Sequence, residues 1–228
     1  MKPNIETELN ELETLLGRLR SGELSRAEFR SQSVHYGVYT QRQEDRFFVR
    51  VRVPYGTISP AQLWALAVAI EKWGTGVCRF TTRQGVEVHG LSLEQIMPLL
   101  QALGEVGLQS HETGGNSIRS VLACPHAGVG LDEPFDVTPY AQLLTRCLMR
   151  HPEFQNLPRK MKIGFSCCEE DCARTSVQDL GFQARTNSEG ACGFRVLVGG
   201  GTGAAPRLGQ VLEEFLPAHQ IISFTRAF

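Results

Sequence analysis

Basic side chains stand at four places beside apolar, strand-like runs: Arg52 in VRVRVP, Arg79 and Arg83 in CRFTTRQGVEVHG, Arg119 in GNSIRSV, and Lys160 with Lys162 in LPRKMKIGF. A strand of this kind turns one face to a core and leaves the other to recognise something. Cations placed on that second face point to a large polyanionic ligand. If 77–90 is one extended strand, the rise of about 3.3 Å per residue puts Arg79 and Arg83 roughly 13 Å apart on one face, with Thr81 between them. Two guanidinium forks at that separation can hold separate carboxylates of one ligand through bidentate bonds. The competing reading is a solvated face on which arginine pairs with Glu87. Lys160 and Lys162 leave the same face of their run, and a solvated edge pair is the competing reading there. Arg119 by itself says little.

Weaker signals accompany these. CCEEDC offers Cys168-x3-Cys172, half of a metal site, but no second Cys/His pair stands at ligand spacing and three acidic residues crowd the loop. Structural or incidental thiols are the simpler account. GGGTG (199–203) precedes a predicted helix, so its amides could receive an anion. It lacks dinucleotide-fingerprint spacing and a Walker lysine. His89 reads as a hydrogen-bonding residue rather than a metal ligand, and no metal site is assigned. No hydrolase signature is present.

Composition is silent about this chemistry. With 23 Lys+Arg against 24 Asp+Glu in 228 residues, bulk charge gives no case for nucleic acid or an anionic membrane surface. No apolar stretch approaches the roughly 20 residues that span a bilayer, and the charged N-terminus lacks a signal-peptide segment. The expected location is the cytoplasm. Seven cysteines, an odd number without a small-domain framework, favour reduced thiols.

The elements that must position the basic residues can be read from periodicity. Residues 4–19 carry leucines at helical spacing, and a second short helix is expected near 25–31; together 1–45 reads as an N-terminal helical arm. In RFFVRVRVP, Phe47, Val49, Val51 and Val53 share one face, and Arg46, Phe48, Arg50 and Arg52 the other. Ser59-Pro60 opens a helix with Leu63, Leu66, Ala67, Ile70 and Trp73 as its stripe, ended by Gly74 and Gly76. The period-two run 77–90 is the longest strand candidate, with Gly85 inviting a bulge. Ser92-x-x-Gln95 opens a helix containing Ile96, Leu99, Leu100, Leu103 and Val106, which Pro98 should kink or delay. A short strand after Gly107 would complete a β-α-β-α-β lobe over 46–115.

The second lobe, 116–228, begins after HETGGNS. It should hold a helix from Pro139 to about Arg150 capped by Thr138, with Leu143, Leu144, Cys147 and Leu148 inside. A strand in KMKIGFS, two more in VQDLGFQA and FRVLVGGG joined at Asn187–Gly190, and a helix over 207–216 follow. HQIISFTRAF reads as the beginning of a helix without cap or breaker, so the polypeptide or a partner chain is expected to continue. The fold class is α+β, two mixed lobes.

In the order RVRVPYG, TTRQGVEVHG, GGNSIRSV, CPHAG, LPRKMKIGFS, DLGF and VGGG, the chain resembles the N-terminal half of the sirohaem-dependent sulfite and nitrite reductases over about 34–228. The resemblance implies a ferredoxin-like half-domain followed by a sirohaem-cradling α/β half-domain, pairing with a C-terminal half about a pseudo-twofold axis. It implies sirohaem contacts for Arg79, Thr81, Arg83 and His89. Arg52, Arg119, Lys160 and Lys162 would be the cations around the iron-bound sulfite or nitrite. Arginines that stay charged suit anion binding, and crowded lysines suit proton delivery.

The family's [4Fe-4S] cluster uses C-x5-C and C-x3-C in its C-terminal half. C-x5-C is absent here, so cluster and full activity are expected only with that missing half. The implied reaction is six-electron reduction of sulfite to sulfide, with nitrite to ammonia as the alternative, fed by ferredoxin or a flavoprotein. Two further alternatives are a precorrin-3B synthase-like enzyme and a non-catalytic tetrapyrrole-binding or assembly module.

Overall fold

The computed structural model describes residues 5–228. Position 4 of the first predicted helix lies outside the described residues. The chain divides into two compact units, 5–117 with 150–156 and 118–149 with 157–228 of the described residues.

In the first unit, α1 (Ile5–Arg20) places Glu6 and Glu8 in its first turn and Arg18 and Arg20 in its last, each complementing the helix dipole. α2 (Arg26–Ser33) opens on a capping box in which Ser25 and Glu28 satisfy each other's backbone donors. Strands β1 (Val38–Thr40), β2 (Phe47–Val51), β3 (Cys78–Phe80) and β4 (Val86–Leu91) form an antiparallel sheet in the order β1-β2-β4-β3. α3 (Pro60–Trp73) and α4 (Leu93–Glu105) are both capping-box helices, started by Ser59/Gln62 and Ser92/Gln95. The alternation read in β2 holds, because Phe47, Val49, Val51 and Val53 are buried in one core with Leu66, Ile70, Ile96, Leu99 and Leu103. Leu12, Leu15, Leu16 and Phe29 join that core, so the N-terminal helices help to build the unit.

Four expectations are corrected here. The run 77–90 is a hairpin, not one strand: Thr81 N donates to Gly85 O at 2.8 Å, Gln84 N to Thr81 O at 3.0 Å, and Gln84 takes φ +55. Arg79 then faces Glu87 across β3 and β4, and the 13 Å separation along one strand face does not exist. After Gly107 no strand forms, only an isolated bridge between Arg52 and Gln109. On α3 the buried positions are Leu66, Ala69 and Ile70, whereas Leu63 is 48% exposed. Finally, α4 starts at Leu93 and runs through Pro98 without delay.

The second unit carries β5 (Leu122–Ala123), β6 (Ile163–Ser166), β7 (Leu180–Thr186), β8 (Cys192–Val198) and β9 (Gln210–Pro217) in that order across one sheet. The β5/β6 and β6/β7 pairings are parallel, and the other two are antiparallel. Phe165, Phe182 and Phe194 form the centre of its core at ring separations of 4.9, 5.5 and 5.7 Å. α5 (Thr138–Leu148) buries Ala141, Leu144 and Leu148 while Leu143 faces outward. Its cap is Val137 rather than Thr138, whose N–H donates to Asp136. α6 (Ile221–Ala227) follows β9.

The helix expected over 207–216 is β9. Its residues are good helix formers, but β8 offers an edge on which Leu216 pairs with Phe194 and Gln210 with Val198, and sheet pairing overrides intrinsic preference. GGGTG therefore opens no helix. Gly201 and Arg207 exchange two backbone hydrogen bonds of 2.9 Å in a hairpin connection instead, which removes the basis for an anion site there.

Candidate functional site: two basic surfaces

The hairpin of the first unit is organised by Glu87, which is 1% exposed. One carboxylate oxygen accepts from Arg50 Nε at 2.9 Å and Nη2 at 2.7 Å; the other meets Arg79 Nη2 at 2.7 Å and His89 Nε2 at 3.2 Å. Burial pushes the Glu87 pKa up, but the hydrogen bonds and charge of Arg50, then His89 and Arg79, outweigh it and hold the carboxyl below its ordinary value. His89 is fixed on three sides. Its ring stacks on Phe48 at 4.9 Å, Gln41 Nε2 donates to Nδ1 at 3.3 Å, and Nε2 donates to Glu87. His89 thus acts as support for Glu87, with both ring nitrogens engaged.

Arg79 keeps 69% of its side chain exposed while holding this one carboxylate. The arginine–Glu87 pairing weighed from the sequence is therefore present, and it leaves most of the guanidinium available. Thr81 Oγ1 accepts from Arg83 N at 3.3 Å and Gly85 N at 3.1 Å, which fixes the turn and leaves a hydroxyl hydrogen to donate. Arg83 is half-buried at the tip of that turn. A Cβ on Gly85 would lie 2.9 Å from Val51 O, so this close approach needs glycine.

Arg52 lies on the same strand run but is 8% exposed. Its Nη2 donates to His111 O at 2.7 Å, and Nη1 stands 3.6 Å from Glu112 Oε2. Glu112 takes the left-handed conformation at φ +58 and accepts from Arg150 N at 2.9 Å and from Gln155 Nε2. Next to it, Arg150 binds Glu8, and His111 Nδ1 is 3.6 Å from the same carboxylate. Burial raises the Glu8 pKa to about 7 against the pull of Arg150; burial, followed by His35, Arg150 and Arg52, lowers that of His111 to about 2. This buried network of Glu8, His111, Glu112, Arg150 and Gln155 escaped sequence analysis because its members are scattered over the chain without motif spacing.

In the second unit, Arg119 and Lys160 flank the bridge between Ile118 and Met161, where Arg119 N donates to Met161 O at 2.8 Å. β6 begins at Ile163 and lies between β5 and β7, so the two lysines lead into an interior strand, not an edge. Lys162 N donates to Asp179 Oδ2 at 2.7 Å. Loss of water, then the charges of Arg119, Arg159 and Lys162, depress the Lys160 pKa, and Asp179 pulls the other way. Cations gathered in this way fit an anion.

Sirohaem, a polycarboxylate, suits the donors of the first unit, the exposed guanidinium of Arg79 and the hydroxyl hydrogen of Thr81. An iron–sulfur cluster does not suit the cysteines present. Cys124, Cys167, Cys168 and Cys172 lie near one another, yet among the described residues no group of three or more His, Cys, Asp or Glu stands at metal-holding geometry. Among the described residues no helix is long and apolar enough to cross a membrane.

The model of the nitrite and sulphite reductase 4Fe-4S domain matches residues 114–228, and that of the nitrite/sulfite reductase ferredoxin-like half domain matches 39–106. An assimilatory ferredoxin-dependent nitrite reductase of Haloferax mediterranei is 34% identical over 197 residues, 79% of this chain and 34% of the relative. A ferredoxin–nitrite reductase of Synechococcus elongatus is 34% identical over 80% of this chain and 37% of its own length. A sulfite reductase [ferredoxin] of Mycobacterium tuberculosis is 27% identical over 92% and 40%. The solved structure of the Mycobacterium tuberculosis NirA protein superposes with a TM-score of 0.79 at 26% identity, covering 97% of this chain and 45% of that one. The chain thus spans about a third to two fifths of the curated relatives' length.

Proposed function

The chain belongs to the nitrite and sulfite reductase family, and from that premise we propose that it supplies one wall of the active site of a six-electron oxyanion reductase. Arg52 and Arg119 bind and orient the anion, and Lys160 and Lys162 deliver protons to the departing oxygens. Arg79, Thr81 and Arg83 hold sirohaem carboxylates, while His89 keeps Glu87 and hence Arg79 in place. The bound sirohaem supplies the iron and the electron path. The remaining wall, with the [4Fe-4S] cluster, comes from a C-terminal half or partner, and ferredoxin is the expected donor because the relatives carry it in their names.

The observation that carries this reading is the cation group around Lys160. Arginine stays charged and presents a fork to an oxyanion; a lysine whose pKa is depressed by burial and by like charges gives up its proton more readily. Sulfite is the substrate we place first, with nitrite as the alternative. Relatives of both activities match, at 34% identity for a nitrite reductase and 27% for a sulfite reductase, so the two anions are tested together.

The test uses the complete protein with reduced methyl viologen, measuring ammonia from nitrite and sulfide from sulfite side by side. Arg119→Ala should raise KM about 10- to 100-fold, the loss of one charge-assisted bond. Lys160→Met should lower kcat and change its pH profile. A protein that holds no sirohaem absorbance and reduces neither anion would remove the proposal.

A further inference from the structure

The carboxylate that stands against Arg52 has no part in the function proposed so far. Arg52 N donates to Gln109 O at 2.7 Å, which fixes the backbone just past β2, and Nη2 donates to His111 O at 2.7 Å. Nη1 then lies 3.6 Å from Glu112 Oε2, and both side chains are buried. At that distance, away from water, the carboxylate alters the field in which the guanidinium receives any further charge.

Glu112 is held more firmly than an ion pair alone requires. Its N–H donates to His35 O at 2.8 Å, and its Oε1 accepts from Arg150 N at 2.9 Å and from Gln155 Nε2. Directly after it, Thr113 O accepts from Arg50 Nη1 at 3.2 Å, which ties the loop to β2. The backbone at Glu112 takes φ +58. Glycine or asparagine adopts that conformation at lower cost, so the turn itself gives no reason for a glutamate. An unfavourable backbone kept at a buried, charged residue points to use of its side chain.

Charge number separates the two anions considered for this site. At mildly alkaline pH sulfite is a dianion and nitrite a monoanion. Coulomb energy scales with the charge of the ligand, so a fixed negative charge that weakens a monoanion by one factor weakens a dianion by the square of that factor. We propose that Glu112 is a specificity-determining positioning residue: it fixes the Arg52 guanidinium and biases the site against the doubly charged anion. The bias sets the ratio of the two affinities, whichever anion is reduced faster. It rests on the assignment of Arg52 to anion binding made above.

The test measures KM for sulfite and for nitrite at pH 8 in the complete protein carrying sirohaem. Glu112→Gln keeps an acceptor for Arg150 N and removes the charge. Its KM for sulfite should fall relative to its KM for nitrite by about 3- to 10-fold, the effect of one extra unit of ligand charge at a partly screened site. Glu112→Gly also removes the charge and suits φ +58, so it serves where the glutamine variant does not fold, and it should move the ratio the same way. Glu112→Asp keeps the charge and should hold the wild-type ratio, with both KM values rising together as Arg52 is held less well. A purely structural Glu112 would shift both KM values by one common factor in every variant. A wild type that reduces both anions, with the ratio unmoved in the charge-free variants, would overturn this inference alone; a wild type that reduces neither would overturn the proposed function and this inference with it.

Discussion

Replacing Glu87 by glutamine tests whether this one buried carboxylate holds the hairpin's charges together. Removing one partner of a buried ion pair costs about 3–5 kcal/mol when the other is left stranded. Here the stranding is partial. Arg79 is 69% exposed and resolvates, so its share is at most about 1 kcal/mol. Arg50 is 30% exposed and keeps hydrogen bonds to Tyr39 Oη and Thr113 O, both 3.2 Å, with its guanidinium 4.7 Å from the Tyr39 ring. The glutamine oxygen can still accept from Arg50, but its NH2 group faces His89 Nε2–H and Arg79, donor against donor. We therefore expect a loss of about 2–3 kcal/mol at pH 7. At roughly 2–4 °C per kcal/mol for a chain of this size, Tm should fall by about 4–12 °C.

The same variant makes a pH prediction with a definite sign. Glu87 ionises below its ordinary 4.5 in the folded chain, so its contribution is complete above that pH and is lost as pH falls through the folded value. The stability gap between wild type and Glu87→Gln should be constant from pH 8 to 6 and should close below about pH 4.5. Urea unfolding followed by circular dichroism at pH 7 and pH 4 measures both quantities. A gap under about 0.5 kcal/mol at pH 7, or one that does not shrink at pH 4, would refute the assignment of Glu87 as the organising charge.

Other consequences are more local. Glu8 has the opposite sign to Glu87: its folded pKa of about 7 exceeds the ordinary 4.5, so its stabilisation is complete below 4.5 and lost as pH rises through 7. Moving from pH 6 to 8 should therefore destabilise wild type more than Glu8→Gln, as read by urea midpoints. Ser59→Ala removes the side-chain acceptor of Gln62 N at 3.2 Å and should cost about 1 kcal/mol at the start of α3, measurable by thermal unfolding. A Cβ on Gly181 would stand 2.5 Å from Thr175 O, so Gly181→Ala should cost about 1–3 kcal/mol, with an amide-exchange increase centred on β7.

How much of this was legible in the sequence depends on what kind of signal each residue leaves. The helix starts at Ser25, Ser59 and Ser92 were written locally, in residues three apart that satisfy each other's donors, and the buried face of β2 was written in a period of two. The hairpin was invisible to the same method for a definite reason. Arg79 pairs with Glu87 and Phe80 with Val86, so paired residues share parity, and the alternation passes through the turn in phase. A period-two count cannot distinguish one long strand from two short ones folded at Gly85, although the Thr81 hydroxyl and the glycine marked the place. β9 was lost differently, because its helix-forming residues are recruited by the β8 edge, a partner that no local window contains. The site divides along the same line. Arg52, Arg119, Lys160 and Lys162 are proposed from motifs, but the residues beside them, Glu112 against Arg52 and Asp179 at Lys162, lie tens of residues from Arg52 or on another strand's approach. Chemistry carried by contiguous residues is readable before folding, whereas chemistry made by strand register is readable only after it.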